Sequence, residues 1–232
     1  MIKLNVLKRL DEILVITQAR LSSQRVPNKM LKPLGKTNLF ELILTKLKAS
    51  DYIPDSNIYA SVYEQELKQV ANQVGVNTFS RSSISANTEG DIKELYSWWN
   101  KLPFKYVVLV SGCSPFLKIS TIDKFIKTYI EQEEDSLFAV TEKKQYFFNK
   151  KGNLITPWPE GFKIMNTKFV EPTYEAAHVL YASRMDIIGN EEFMGDMNKG
   201  EVKLFPISEQ EAFDIDHEWQ FELASDFLRN NL

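Results

Sequence analysis

One cysteine and two histidines among 232 residues are too few for the Cys/His ligand sets that hold zinc. Cys113 alone cannot form an internal disulfide, so a reducing cytoplasm is the expected compartment. No run of 18 apolar residues occurs, and the N-terminus lacks the charged, apolar, small-residue succession of a secretory signal. Neither a membrane span nor a leader is therefore expected. A basic field is missing as well. With 28 Lys and Arg against 31 Asp and Glu the net charge is −3, which argues against nucleic acid and anionic membrane as partners. What is left to hold a metal is carboxylate, and carboxylate favours a hard ion such as Mg²⁺ or Mn²⁺.

What is present is an ordinary globular composition, 44% apolar and 25% charged, enough for one domain with a modest appendage. Residues 13–17 (ILVIT) form a continuous apolar, β-branched run, as expected of a buried parallel strand. A polar loop to about Lys36 precedes a helix over 39–48, with Asn38 as N-cap and Glu41 at its third position. Further strands at 57–62, 76–81, 106–111 and 137–140 alternate with three helices. These span 64–74 (ended by Gly75), 90–101, and a stretch from a Ser120 or Thr121 cap to about 132. The alternation predicts an α/β fold, a mostly parallel sheet with helices on both faces, whose ligands bind beyond the carboxyl ends of the strands. From 142 to 172 the chain is aromatic and turn-rich and reads as an arm inserted in a single domain, 1–232. A strand at 173–183 follows. A last helix over 217–230 carries Trp219, Leu223 and Phe227 on one face.

Three segments could carry chemistry. Ala19-Arg20-Leu21-Ser22-Ser23-Gln24-Arg25-Val26-Pro27-Asn28-Lys29 directly follows the first strand. Small hydroxyl residues with fixed cations are what a triphosphate needs. The same composition suits a solvated basic loop, and its place after a strand favours the anion site. It is not a Walker A loop, having no glycine. Phe213-Asp214-Ile215-Asp216 puts two carboxylates on one side of an extended segment. Such a pair holds one Mg²⁺ when phosphates and water supply the rest; an N-cap role for Asp216 reads equally well. In Ser111-Gly112-Cys113-Ser114-Pro115-Phe116, Gly112 permits close backbone approach and Pro115 fixes a turn. A tight strand-to-helix connection also accounts for it. Neither histidine is near Cys113 in sequence, so it reads as a packed or ligand-lining thiol, not a nucleophile.

In this order and at these distances, the segments resemble the acylneuraminate cytidylyltransferase family, whose relatives include CMP-Kdo synthetase and the spore-coat-polysaccharide type. The similarity runs from about Ile13 to Phe227. It rests most on Ala19-Arg20…Pro27-Asn28-Lys29 with Lys32-Pro33-Leu34-Gly35, and on Asp214-Ile215-Asp216 followed by a helix. It implies a Rossmann-like nucleotidyltransferase sheet and a homodimer built through the arm. The implied reaction transfers CMP from CTP to a small acidic acceptor, a sialic, legionaminic or pseudaminic-like nonulosonic acid, releasing pyrophosphate for polysaccharide synthesis. Arg20, Lys29 and Asp216 would then be catalytic, and Ala19, Arg20, Leu21, Ser22, Ser23, Lys29, Arg81, Ser85 and Asn87 would bind the nucleotide. Ser111, Gly112, Cys113, Ser114, His178 and Tyr181 would face the acceptor, with Asp214 and Asp216 on the metal. For the acceptor's carboxylate the cation pool is Lys143, Lys144, Lys163, Lys168 and Arg184. His178 reads either as facing that acceptor or as a satisfied core histidine.

Three departures stand out. Ser22 replaces the family's Gly or Asn, Ser111 stands where sialic-acid enzymes carry Gln, and Ala177-His178 replaces Asn-Gly. The last two fall on the acceptor side, so the resemblance supports CTP better than N-acetylneuraminate. A Kdo-like acid or a phosphonate is the alternative acceptor. A nucleotide-sugar-dependent glycosyltransferase and a non-catalytic nucleotide-binding protein are the alternative functions.

Overall fold

Ile13 through Thr17 have no exposed surface at all, so this strand must lie in the middle of a sheet covered on both faces. The computed structural model, which describes residues 8–88, 90–195 and 202–231, places it there. The elements run β1 (Ile13–Gln18), β2 (Pro33–Leu34), β3 (Thr37–Asn38), α1 (Leu39–Lys48), β4 (Ile58–Val62), α2 (Gln65–Val74), β5 (Asn77–Ser80), α3 (Ser83–Asn87) and α4 (Ile92–Leu95). Then come β6 (Tyr106–Val110), α5 (Ile119–Glu131), β7 (Ser136–Lys143), β8 (Thr173–Arg184), α6 (Met185–Gly189), β9 (Val202–Pro206) and α7 (Glu218–Asn231).

Seven strands form one sheet in the order β5-β4-β1-β6-β8-β7-β9, and β2 pairs with β3 in a small hairpin. Only β8 runs against the others in the main sheet. The mostly parallel α/β sheet expected from the sequence is therefore present. The carboxyl ends of β1, β4, β5, β6, β7 and β9 share one edge with the amino-terminal half of β8.

Helices α1, α2, α5 and α7 cover one face. Leu39, Ile43 and Leu47 of α1 and Ile122, Phe125, Ile126 and Tyr129 of α5 are buried there, at the three- and four-residue spacing of one helical stripe. Asn38 caps α1 by accepting the Glu41 N–H at 2.9 Å, and Gly75 ends α2 in the left-handed region, φ +79°. The opposite face packs on α6 and on the aromatic turns after α4.

Several expectations need correction. The helix expected over 90–101 stops after four residues. Tyr96, Ser97 and Trp98 are all buried, and a helix would spread three adjacent side chains over about 200°, most of it away from the sheet. Neither Ser120 nor Thr121 caps α5. The helix starts at Ile119, and the Glu211 carboxylate accepts the Lys118 N–H at 3.2 Å and the Thr121 hydroxyl at 2.6 Å. On α7 the Trp219, Leu223 and Phe227 stripe lies on the exposed side, although Phe227 meets Phe116 edge to face with ring centroids 4.9 Å apart. Phe221, Ala224 and Leu228 face the core instead, where the small Ala224 and the neighbouring Gly35 hairpin admit close packing.

Of the arm expected over 142–172, residues 142 and 143 belong to β7, and the remaining 144–172 hold one isolated bridge (Phe148 with Leu154) and a 3₁₀ turn at Thr167–Phe169. Its rings pack mainly on one another, Phe162 on Phe169 at 3.9 Å and Tyr146 on Trp158 at 5.5 Å. Among the described residues no helix is long and apolar enough to cross a membrane.

Candidate functional site

The loop after β1 is fastened to the neighbouring strand ends. Ala19 donates its N–H to Ser61 O at 3.2 Å, and its carbonyl accepts from the Arg81 guanidinium at 2.8 Å. Glu64 Oε1 accepts the Leu21 N–H at 2.8 Å, and Arg20 reaches Ala86 O at 3.4 Å. Beyond Pro27 the chain winds into a turn, with Asn28 at φ +53° and its carbonyl accepting the N–H groups of Leu31 and Lys32. That turn carries Lys29 inward. Its ammonium is buried, donates to Ile215 O at 2.5 Å, and lies 4.0 Å from the Asp216 carboxylate. Arg25 meets the same carboxylate oxygen at 2.6 Å. The result is a cleft of about 400 Å³ lined by Gln18, Ala19, Arg20, Ser23, Gln24, Arg25, Lys29, Met30 and Cys113.

Ala19, Arg20, Ser23 and Lys29 thus come together as expected. Arg81 and Ser85 stand behind this surface. Arg81 is 6% exposed, with its Nε buried and unpartnered, and burial lowers its pKa against the opposing pull of Glu64. The Ser85 hydroxyl pairs with that of Ser97 at 3.2 Å. Exposed Asn87 folds its amide back to Ser83 O and receives the Ser22 hydroxyl at 3.4 Å.

Asp214 and Asp216 flank the fully buried Ile215, whose N–H donates to Cys113 O at 3.0 Å, so both carboxylates face one side. The N-cap reading of Asp216 does not hold. Gln220 Oε1, from the third position of α7, accepts the N–H groups of both Asp216 and His217 at 2.7 Å. Asp214 Oδ1 is buried without a partner among the described residues. Burial pushes its carboxyl above the usual range and Asp216 adds to this, while Lys29, His178 and Arg25 oppose. An orphaned carboxylate oxygen beside a second carboxylate fits a hard cation. No cluster of three or more His, Cys, Asp or Glu side chains suited to a metal occurs among the described residues, so phosphate and water would complete its shell.

A second cleft, about 320 Å³, is lined by Asp214 and Asp216 together with Thr141, Lys143, Glu175, His178, Glu209 and Gln220. It exists because β8 bulges: residues 177–180 lie between the Phe138–Tyr181 and Val140–Ala176 pairs, opposite Ala139 alone. The bulge holds His178 at φ +55° and exposes it at the cleft, which excludes the reading of His178 as a core histidine. His178 Nδ1 pairs with the Tyr181 hydroxyl at 2.5 Å, and Tyr181, mostly buried, has its pKa pushed up to about 12.

Of the Ser111–Phe116 turn, Cys113 lines the first cleft and none of the six residues lines the second. Ser111 donates its N–H to Val179 O, and its hydroxyl accepts the Cys113 N–H at 3.1 Å. At Gly112 a Cβ would stand 2.8 Å from the Met30 methyl. Ser114 is buried, and its hydroxyl has no partner among the described residues. Lys46 pins the turn, donating to Pro115 O at 2.5 Å and Leu117 O at 2.9 Å, and burial lowers its pKa to about 8. Burial raises the Cys113 pKa, with Lys29 the main opposing influence.

The cation pool for an acidic acceptor shrinks. Arg184 sits at the far end of β8, opposite Tyr106, and pairs with Asp135 and Asp186. Lys144, Lys163 and Lys168 are exposed between β7 and β8. Lys143 alone lines the second cleft, ion-paired to Glu175 and Glu209. Sequence reasoning missed Glu64, Glu175 and Glu209. The rule that ligand groups follow strands would have found Glu64, two residues after β4.

The fold is similar to that of CMP:2-keto-3-deoxy-manno-octonic acid synthetase solved with CTP (TM-score 0.70, 11% identity, 95% of this chain and 100% of that one). It is also similar to 4-diphosphocytidyl-2C-methyl-D-erythritol synthase from Anaerococcus prevotii (TM-score 0.64, 13% identity, 94% and 96%). In sequence, an uncharacterized protein of Methanocaldococcus jannaschii is 28% identical over 129 residues, 53% of this chain and 50% of that one. The 3-deoxy-manno-octulosonate cytidylyltransferase of Rickettsia felis is 26% identical over 133 residues, 57% and 53%. The chain spans about half the length of the curated relatives it matches. A family model described as cytidylyltransferase matches residues 14–231, and the chain belongs to the cytidylyltransferase family.

Proposed function

We propose that this protein transfers CMP from CTP to a 2-keto sugar acid, nonulosonic or Kdo-like, and releases pyrophosphate. The observation that carries the proposal is the meeting of two clefts at Asp216, a cationic one with Arg20, Arg25 and Lys29 and a second with Lys143 and His178. In the reaction, an acceptor hydroxyl oxygen bonds to the α-phosphorus while the bond from that phosphorus to the bridging oxygen breaks, and the hydroxyl proton passes to water. Arg20 and Lys29 hold the departing pyrophosphate, and the fixed loop keeps donor and acceptor in line. Asp214 and Asp216 would hold Mg²⁺, or Mn²⁺, which supplies charge neutralisation at the phosphate oxygens.

Lys143 and His178 are the donors for the acceptor's carboxylate, which would take the place of Glu209 at Lys143. Two observations favour a Kdo-like acid over N-acetylneuraminate. Ser111 and His178 depart from the sialic-acid pattern, and the Rickettsia relative and the CTP-bound structural neighbour are both named for that octulosonate. A homodimer through the arm is supported by the exposed Phe148, Ile155, Ile164 and Met165. The test is a pyrophosphate-release screen with CTP over Kdo, sialic, legionaminic and pseudaminic acids, with a neutral sugar and a phosphonate alongside. Release with at least one of these acids supports the reading. Release only with a neutral or phosphonate acceptor overturns its acceptor half.

A further inference from the structure

Trp98 is fully buried, and its indole N–H lies 2.6 Å from Gln18 Oε1. An indole nitrogen can only donate, so the bond fixes which end of the Gln18 amide is which. The carbonyl faces Trp98. The amide NH₂ faces away, and neither of its protons has an acceptor among the described residues. Gln18 is the last residue of β1 and lines the cleft beside Ala19 and Arg20. The support cannot swing, because Ser97, next to Trp98, is itself buried against the Ser85 hydroxyl. Arg20, Arg25 and Lys29 line the same cleft, Arg25 and Lys29 held at Asp216 and Arg20 at Ala86 O.

We infer that Gln18 reads the nucleobase, presenting two donors to the adjacent acceptors O2 and N3 of cytosine, with Trp98 as its positioning residue. This rests on CTP being the donor nucleotide. Uracil carries N–H where cytosine has the N3 lone pair, so the same amide would set donor against donor. A site built around a fixed hydrogen-bonding group discriminates through the group left unpaired.

Q18E is the decisive variant. It keeps the side-chain shape and the acceptor for Trp98 but has no NH₂, so a merely structural role for Gln18 would survive it. Its extra charge weakens both triphosphates, and the ratio between them cancels that effect. W98F frees the amide to flip. Dissociation constants for CTP and UTP by calorimetry, with kcat/KM for each by pyrophosphate release, give the preference. Q18E should lower the CTP-over-UTP preference about tenfold at an unchanged melting temperature, and W98F should lower it in the same direction. A Q18E ratio equal to wild type overturns the inference, and it decides alone if W98F does not fold. Wild-type protein that shows no preference for CTP overturns the proposed function itself. A wild-type preference that Q18E leaves intact removes only the role of Gln18.

Discussion

The Asp216 carboxylate meets the Arg25 guanidinium at 2.6 Å and lies 4.0 Å from the Lys29 ammonium, which joins the loop after the first strand to the segment before the last helix. As a stabilising contact this is weak. Arg25 is 60% exposed, and solvated pairs contribute about 0–1 kcal/mol. As a site it is informative, because both cations can turn to phosphate and leave the carboxylate to a metal.

Asp216→Asn should therefore cut pyrophosphate release by about a hundredfold or more with little change in melting temperature. Asp214→Asn should do the same, since it removes the charge from a buried, unpartnered oxygen. Full activity in either variant would remove the metal assignment.

Lys29→Ala should raise KM for CTP far more than KM for the acceptor, because Lys29 lines only the first cleft. It also strips the Ile215 carbonyl of its donor, a loss of roughly 1–3 kcal/mol in chemical denaturation. A larger effect on the acceptor would move the phosphate site elsewhere.

Lys46 gives a pH signature. Its folded pKa of about 8 lies below the ordinary 10.5, so between these values the unfolded chain binds more protons and stability from this group rises with pH. The cost of burying the charged amine is fully present below pH 8 and gone above 10.5. In urea melts across that window, wild type should gain up to about 1.4 kcal/mol per pH unit relative to Lys46→Met. Parallel curves would show that the amine is not desolvated.

Gly189→Ala tests the face away from the site. Its Cβ would stand 2.6 Å from the Trp99 ring, an overpacking expected to cost roughly 1–3 kcal/mol. The melting temperature should fall while both KM values stay at wild type. A shift in KM for CTP would show that the clash at Trp99 is passed through its neighbour Trp98 to Gln18 in the cleft.

The sequence made the parallel half of the fold legible because buried strands such as Ile13–Gln18 are continuous apolar runs and Asn38 and Gly75 mark helix ends locally. Four-residue spacing misled at Trp219, Leu223 and Phe227, since α7 carries two apolar stripes and only packing selects Phe221 and Leu228. The helix expected over 90–101 failed for a related reason, the burial of three adjacent side chains. In the candidate site, position singled out Arg20, two residues after β1, and the Asp214 and Asp216 pair just before α7, whereas Lys29 lies eleven residues past β1 and reaches the pair only through the turn at Asn28. The placing of Arg81 behind the cleft, the neutralisation of Lys143 and the orientation of Gln18 were not readable. All three depend on partners far away in the chain.

The central claim is most directly tested by ³¹P NMR of wild-type protein with CTP, Mg²⁺ and a 2-keto sugar acid. Equal amounts of pyrophosphate and a new CMP diester, with UTP inert, are the expected result. Unchanged CTP with every acid of the panel, despite measurable CTP binding, would contradict it.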